Sequence, residues 1–146
     1  MNIKTEAAIQ KFTSGYNCAQ SILFSHSDEI DIDKSTALKV AWAFGAGMGR
    51  KQEICGAVTG GIMAISLKYS RFQNDDNATT EKIYSKTREL MDRFQEKHGT
   101  YKCSELLKGC NLQTEEGQKY FKDNDLLNKT CTECIRSASQ ILEEIL

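Results

Sequence analysis

Six cysteines are the residues of this chain whose type and spacing could do chemistry: Cys18, Cys55, Cys103, Cys110, Cys131 and Cys134. A thiolate is a nucleophile, a redox carrier and a soft metal ligand. It forms most readily at a helix N-terminus, where unpaired N–H groups and the helix dipole favour negative charge. Cys55 sits where a glycine-rich turn (Gly45, Gly47, Gly49) hands over to an uncharged stretch, with Arg50 and Lys51 just upstream as further sources of positive potential. Cys18 follows Asn17, a good N-cap residue, and Cys103 opens the stretch CSELLKGCNL. The recurrence of cysteine at helix starts points to activated thiols. Burial as small hydrophobes is the plain alternative.

Cys131 and Cys134 form a CxxC. On a helix that spacing puts both sulfurs on one side, within reach of one metal or of each other. No second CxxC completes a zinc-ribbon pattern, and residue 135 is Ile, which argues against covalent haem. Cys18, Cys55, Cys103 and Cys131 come from four different elements that could converge in a bundle core. Four thiolates there would suit zinc or an iron–sulfur cluster as well as thiol–disulfide exchange. GAGMG at residues 45–49 superficially resembles a dinucleotide fingerprint, but it follows a helix and has no βαβ context, so that assignment fails. Gly47, Gly49 and Arg50 remain candidates for contact with a cofactor. His26 follows a helix and His98 ends one, which predicts surface or capping roles for both.

The elements that must position these residues read as helices. Proline is absent, and alternating β-branched runs are few. The organising stretch runs from Phe44 to Tyr69, FGAGMGRKQEICGAVTGGIMAISLKY. Val58, Ile62, Ile65 and Tyr69 make one apolar face of its helix, while Gly56, Gly60 and Ala64 form a small-residue stripe for close approach of another helix. Around this buried central helix the pattern predicts a helix from Lys4 to Phe12 with Ala8, Ile9 and Phe12 inward, ending at Ser14-Gly15. A second starts at Asn17. A third, capped within Asp31–Ser35, has Ala37, Val40, Ala41 and Phe44 on its core face and carries Trp42. Arg71 to Thr80 reads as an exposed loop, with Thr80 capping a long amphipathic helix that ends at His98-Gly99. Cys103 and Cys110 share a face if their short helix persists that far. A helix opens at Thr114, and a last one, capped by Thr130, carries Cys131 and Cys134 toward the core. The expectation is an all-α, single-domain bundle over residues 1–146.

Composition narrows the function classes. The net charge is -1 and the pI is near 6.1, so no basic excess recruits nucleic acid or an anionic membrane. The uncharged run from Ile54 to Leu67 is short for a membrane span, which needs about 20 apolar residues. The N-terminus has no apolar signal region, which predicts a cytoplasmic protein whose cysteines are not a static disulfide framework.

Four ordered blocks carry a resemblance: GYNCAQSIL, the 44–69 stretch, CSELLKGCNL, and a C-terminal cysteine followed by a helix ending ILEEIL. Together they resemble the redox-active C_GCAxxG_C_C family of small bacterial and archaeal proteins, over nearly the whole chain. The resemblance implies thiol redox or metal chemistry, with the family's cysteines falling on Cys18, Cys55, Cys103 and Cys131. Cys110 matches a position often held by cysteine, and Cys134 is an addition. The central motif reads Cys55-Gly56-Ala57 rather than Gly-Cys-Ala, so the alignment rests on the flanking AVTG and LKY. Some relatives associate this module with haem; this chain lacks a CxxCH.

Three functions follow as expectations. The first is a redox thiol cluster led by Cys55, with Cys18 or Cys103 as resolving thiol and a redox partner to be found. The second is a cysteine-ligated zinc or iron–sulfur module on Cys18, Cys55, Cys103 and Cys131. The third is a helical interaction protein, with homodimerisation through the glycine stripe as its expected mode, whose cysteines only pack.

Overall fold

The computed structural model describes residues 2–70 and 77–146. Residues 71–76, the larger part of the expected loop, lie outside the described residues. The chain is all-α: α1 (Ile3–Thr13), α2 (Cys18–Ser25), α3 (Lys34–Ala41), α4 (Gly56–Tyr69), α5 (Asn77–His98), α6 (Cys103–Leu106), α7 (Glu115–Asp123) and α8 (Thr132–Ile145). Among the described residues the only β-type pairing is an isolated antiparallel bridge between Ile54 and Lys102.

Side chains at the helix starts explain where the helices begin. Asn17 and Gln20 close a capping box on α2, while Asp33 accepts from Thr36 N–H and Thr114 accepts from Gly117 N–H. Two expected starts move. Asn77–Thr80 already belong to α5, so Thr80 lies inside it rather than capping it. Thr130 lies in a wide turn of π type, Leu127–Cys131, which runs straight into α8; Thr132 Oγ1 donates back to Leu127 O at 3.0 Å.

The core forms where α2 packs on α1, α3 and α4, and where α8 packs on α1, α4 and α5. Phe12, Ile22, Val58, Ile65, Leu90, Phe94, Ile135 and Leu142 are buried there. Gly60 shows why small residues are required: a Cβ on it would sit 2.8 Å from Ala19 O of α2. Gly61 faces the other way, where a Cβ would lie 2.7 Å from Leu90 Cδ2 of α5. The glycine stripe is thus filled by helices of the same chain and is not open to a second subunit. On α3 the contact stripe is narrower than expected. Ala37 and Ala41 are buried against α2, but Val40 is 50% exposed and Trp42, in the short 3₁₀ turn that follows, is 68% exposed.

Candidate functional site

Residues 45–55 bring the first sulfur into place by an unusual path. Ala46 (φ 53, ψ 41), Gly47 (φ 67, ψ 41) and Gly49 (φ 59, ψ 32) are left-handed, and Met48, Arg50 and Gln52 also have positive φ. Each non-glycine residue in that region costs about 1–2 kcal/mol. The turn is held closed by Gly49 N–H to Ala43 O, Gln52 N–H to Ala46 O and Glu53 N–H to Gly47 O, at 3.0–3.1 Å. A Cβ on Gly47 would lie 2.5 Å from Gln52 Cα, so this coil admits only glycine there.

What the coil achieves is a pairing of two distant segments. Cys55 N–H donates to Tyr101 O at 2.8 Å, Cys103 N–H to Glu53 O at 2.6 Å and Ser104 N–H to Gln52 O at 3.0 Å. The Gln52 side chain is buried and spans the next stretch. Its Nε2 donates to Cys110 O at 2.6 Å, and its Oε1 accepts from Leu112 N–H at 2.8 Å. Nothing in the sequence marked Gln52; its role depends on partners about sixty positions downstream.

Cys18, Cys55, Cys103, Cys131 and Cys134 line one cavity of about 390 Å³. Its other walls are mainly apolar, with Phe12, Leu106 and Phe121 among them, and Gly47 and Arg50 stand at its edge. Gly49 does not line it. Cys18 opens α2, Cys55 occupies the N-cap position of α4, Cys103 opens α6 and Cys131 leads into α8. The start of each of these helices therefore borders the cavity, and the positive ends of three full-length dipoles favour negative charge in it. The small residue at Gly56 allows this convergence: a Cβ there would meet Cys18 Cβ and Ala19 N at 3.0 Å.

The sulfurs form a chain of neighbours. Cys18 interacts with Cys131 and Cys55, and Cys55 with Cys134 and Cys18. Hydrogen bonding from Cys134, then from Cys18, holds the Cys55 thiol well below its ordinary range, and the N–H groups of Ala57 and Val58 act on the sulfur in the same sense. No full capping hydrogen bond to a backbone N–H closes at Cys55, so the helix end acts on it as a field. The cost falls on the neighbours. Interaction with Cys131 and Cys55, together with burial, raises Cys18 well above the usual thiol range, and the contact with Cys55 raises Cys134 likewise. Burial pushes Cys103 up to about 12, with the charges of Cys55 and Cys131 adding to it. Neighbouring thiols and the start of α4, ahead of Arg50 and Lys51, are the main causes of the lowering of Cys55.

The cysteines outside the expected set separate cleanly. Cys134, 2% exposed, touches Cys55 from α8 and belongs to the cluster; its i+3 relation to Cys131 was the signal that could have found it. Cys110 does not share a face with Cys103, because α6 ends at Leu106 and the chain turns through Lys108 (φ 54) and Gly109 (φ 85). Its thiol instead donates to Gly117 O at 3.1 Å, tying α7 to this loop. His26 does follow α2 at its C-cap, but it is completely buried, against the expected surface position. His98 bonds Ser137 Oγ through Nε2 at 2.8 Å and stacks on Phe94.

Metal ligation can be tested on this geometry. Zn–S bonds of about 2.3 Å in a tetrahedron require sulfurs about 3.8 Å apart on every side. Among the described residues, the one group of three or more ligating side chains with all donor atoms within 4.8 Å of one another is His26, Glu29 and Glu143. The cysteines surround a cavity rather than a point, and they do not fit a single zinc ion.

The all-α bundle thus presents five cysteines, several of them from helix starts, to one mainly apolar, half-open cavity. Residues 16–145 match the family model described as "Putative redox-active protein (C_GCAxxG_C_C)", and the chain belongs to that family. Comparison with curated proteins and with solved structures finds no match. Among the described residues no helix is long and apolar enough to cross a membrane.

Proposed function

We propose that the protein is a thiol–disulfide redox carrier in which Cys55 is the nucleophile and Cys18 the resolving thiol. One observation carries this reading: the Cys55 sulfur lies at the N-terminus of α4, between Cys18 and Cys134, on the wall of an apolar cavity. The Cys55 thiolate attacks one sulfur of an external disulfide, and the other sulfur leaves as a thiolate and takes up a proton. Cys18 then loses its proton and attacks Cys55 in the mixed disulfide, releasing the second external thiol. The protein's dithiol is oxidised, the external disulfide is reduced to two thiols, and two electrons have moved. Cys18 suits the second step because it is half-buried and already beside Cys55. Cys103 makes no sulfur–sulfur hydrogen bond to Cys55 of the kind Cys18 makes; Cys55 acts on it through charge.

Stoichiometric treatment of the reduced protein with a small aromatic disulfide, followed by peptide mapping, tests the assignment. It should yield a Cys18–Cys55 disulfide, and Cys18→Ser should trap the mixed disulfide on Cys55. Exclusive oxidation at Cys110, or no oxidation of Cys55, would remove the basis for the reading.

A second reading has one observation of its own. Five cysteines line one cavity, and a multinuclear iron–sulfur cluster would be held there by Cys18, Cys55, Cys131 and either Cys103 or Cys134. Such a cluster would supply one-electron transfer. Elemental analysis of anaerobically purified protein separates the two readings: iron in near-stoichiometric amount favours the cluster, and metal-free folded protein favours the dithiol.

A further inference from the structure

At the end of α2 away from Cys18, a second group of reactive side chains meets. His26 is 0% exposed. Its Nε2 lies 3.2 Å from Ser139 Oγ, which accepts a hydrogen bond from Thr5 Oγ1 at 2.9 Å. Its Nδ1 faces two carboxylates, 3.6 Å from Glu29 Oε2 and 3.7 Å from Glu143 Oε1, too far for a hydrogen bond to either. His26 Nδ1 and Glu143 Oε1 are both buried without a partner. Lys4 Nζ is bound to Glu29 Oε2 at 2.5 Å but stays 3.8 Å from Glu143 Oε1. One ammonium therefore stands against two carboxylates, leaving one negative charge and two polar atoms unanswered.

We propose that His26 Nδ1, Glu29 Oε2 and Glu143 Oε1 form a site for a divalent first-row transition cation, separate from the cysteines. The three donor atoms lie within 4.8 Å of one another. A cation about 2.1 Å from each of its ligands in a tetrahedron needs ligand separations of about 3.4 Å, and the two Nδ1–carboxylate distances of 3.6 and 3.7 Å lie within a few tenths of an ångström of that. Ser139 Oγ can accept the Nε2–H, which leaves the Nδ1 lone pair for the metal, as a ligating histidine requires. An imidazole with two carboxylates suits Mn²⁺, Fe²⁺ or Zn²⁺. A second proton on the imidazole is the competing way to supply positive charge, and burial of the ring opposes it. Lys4, whose side chain is one-third exposed, is the resident counter-ion that a metal would move aside toward solvent. A bound ion would join the C-terminal end of α2 to the last turns of α8.

The probe is Mn²⁺, because thiolates compete for it weakly, titrated into the full reduced chain and followed by the loss of its free-ion EPR signal. One Mn²⁺ per chain should bind. His26→Gln and Glu143→Gln should each weaken binding at least about tenfold, Ser139→Ala should weaken it about tenfold through the imidazole, and Lys4→Met should tighten it. Glu143 is only half-buried, so Glu143→Gln remains informative if His26→Gln fails to fold. Either of two results would overturn the proposal: no Mn²⁺ bound at millimolar metal, or binding unchanged by Glu143→Gln and Lys4→Met.

Discussion

Two groups of buried reactive side chains lie at opposite ends of the same pair of helices. Cys18 and Cys131 stand at the starts of α2 and α8, while His26 and Glu143 lie near their ends, about 12 Å further along α2 at 1.5 Å per residue. Among the described residues no carboxylate lines the cavity at the cysteine end, and its negative charge is answered by helix dipoles and neighbouring thiols. The histidine end holds explicit charges of both signs that do not balance. Soft, polarisable groups gather where backbone N–H groups supply the field; hard charged groups gather at the helix C-termini, where only side chains or an ion can neutralise them. The same two helices thus present two chemically distinct sites.

The comparison can be broken first at Cys55. Cys55→Ser should remove essentially all fast reaction with external disulfides. At neutral pH the native reduced protein should react about tenfold faster than a free thiol, since only a few per cent of an ordinary thiol is ionised there. Equal rates in Cys55→Ser and wild type, measured by stopped-flow absorbance, would sink the assignment.

Next in size are changes to the scaffold that holds the cysteine end together. A Cβ at residue 60 would press on Ala19 O. Gly60→Ala should therefore destabilise the fold by about 1–3 kcal/mol, partly offset by the roughly 1 kcal/mol that alanine gains over glycine in a helix. Denaturant melts should show it; unchanged stability would mean α2 and α4 are not so closely packed. Gln52→Ala severs both bonds to the 110–112 loop and should cost about 1–3 kcal/mol, while accelerating alkylation of Cys103 and Cys110.

A smaller effect is expected from pH. Burial holds His26 and His98 below the ordinary imidazole range, so the unfolded chain takes up protons before the folded one does. Stability is full above about pH 6.5 and falls as the pH drops below it. Melting curves between pH 8 and pH 5 should show a declining Tm, and a Tm that rises toward pH 5 would mean that protonation of these rings stabilises the fold. The smallest change is expected from Cys110→Ala, which removes one thiol donor to Gly117 O and should leave the oxidation of Cys55 untouched.

How far all this was legible depends on whether the deciding interaction is local. Asn17, Asp33 and the Thr114 start could be read because a cap bonds within three residues of itself. Cys55 at the start of α4 was legible for the same reason. The left-handed coil was not: glycine at 47 and 49 hinted at a turn, but positive φ at Ala46, Met48 and Arg50 carries no residue signature. Thr130 reads as a cap by residue type, but the π-type turn before α8 continues the helix without the break a cap implies. The spacing of Val40 predicts a core position, yet the side chains that α3 buries against α2 are those of Ala37 and Ala41, and Val40 turns outward. The burial of His26 depends on Ser139 and Glu143, more than a hundred positions away, and no local pattern announces that.

The central claim is that the cysteine end stabilises a thiolate on Cys55. The most direct measurement is the pH dependence of its alkylation rate in the native reduced protein, read site by site by mass spectrometry. Cys55 should react with a midpoint well below the ordinary thiol value of about 8.5, and Cys18, Cys103 and Cys134 only at much higher pH. A Cys55 midpoint at or above that value would contradict it.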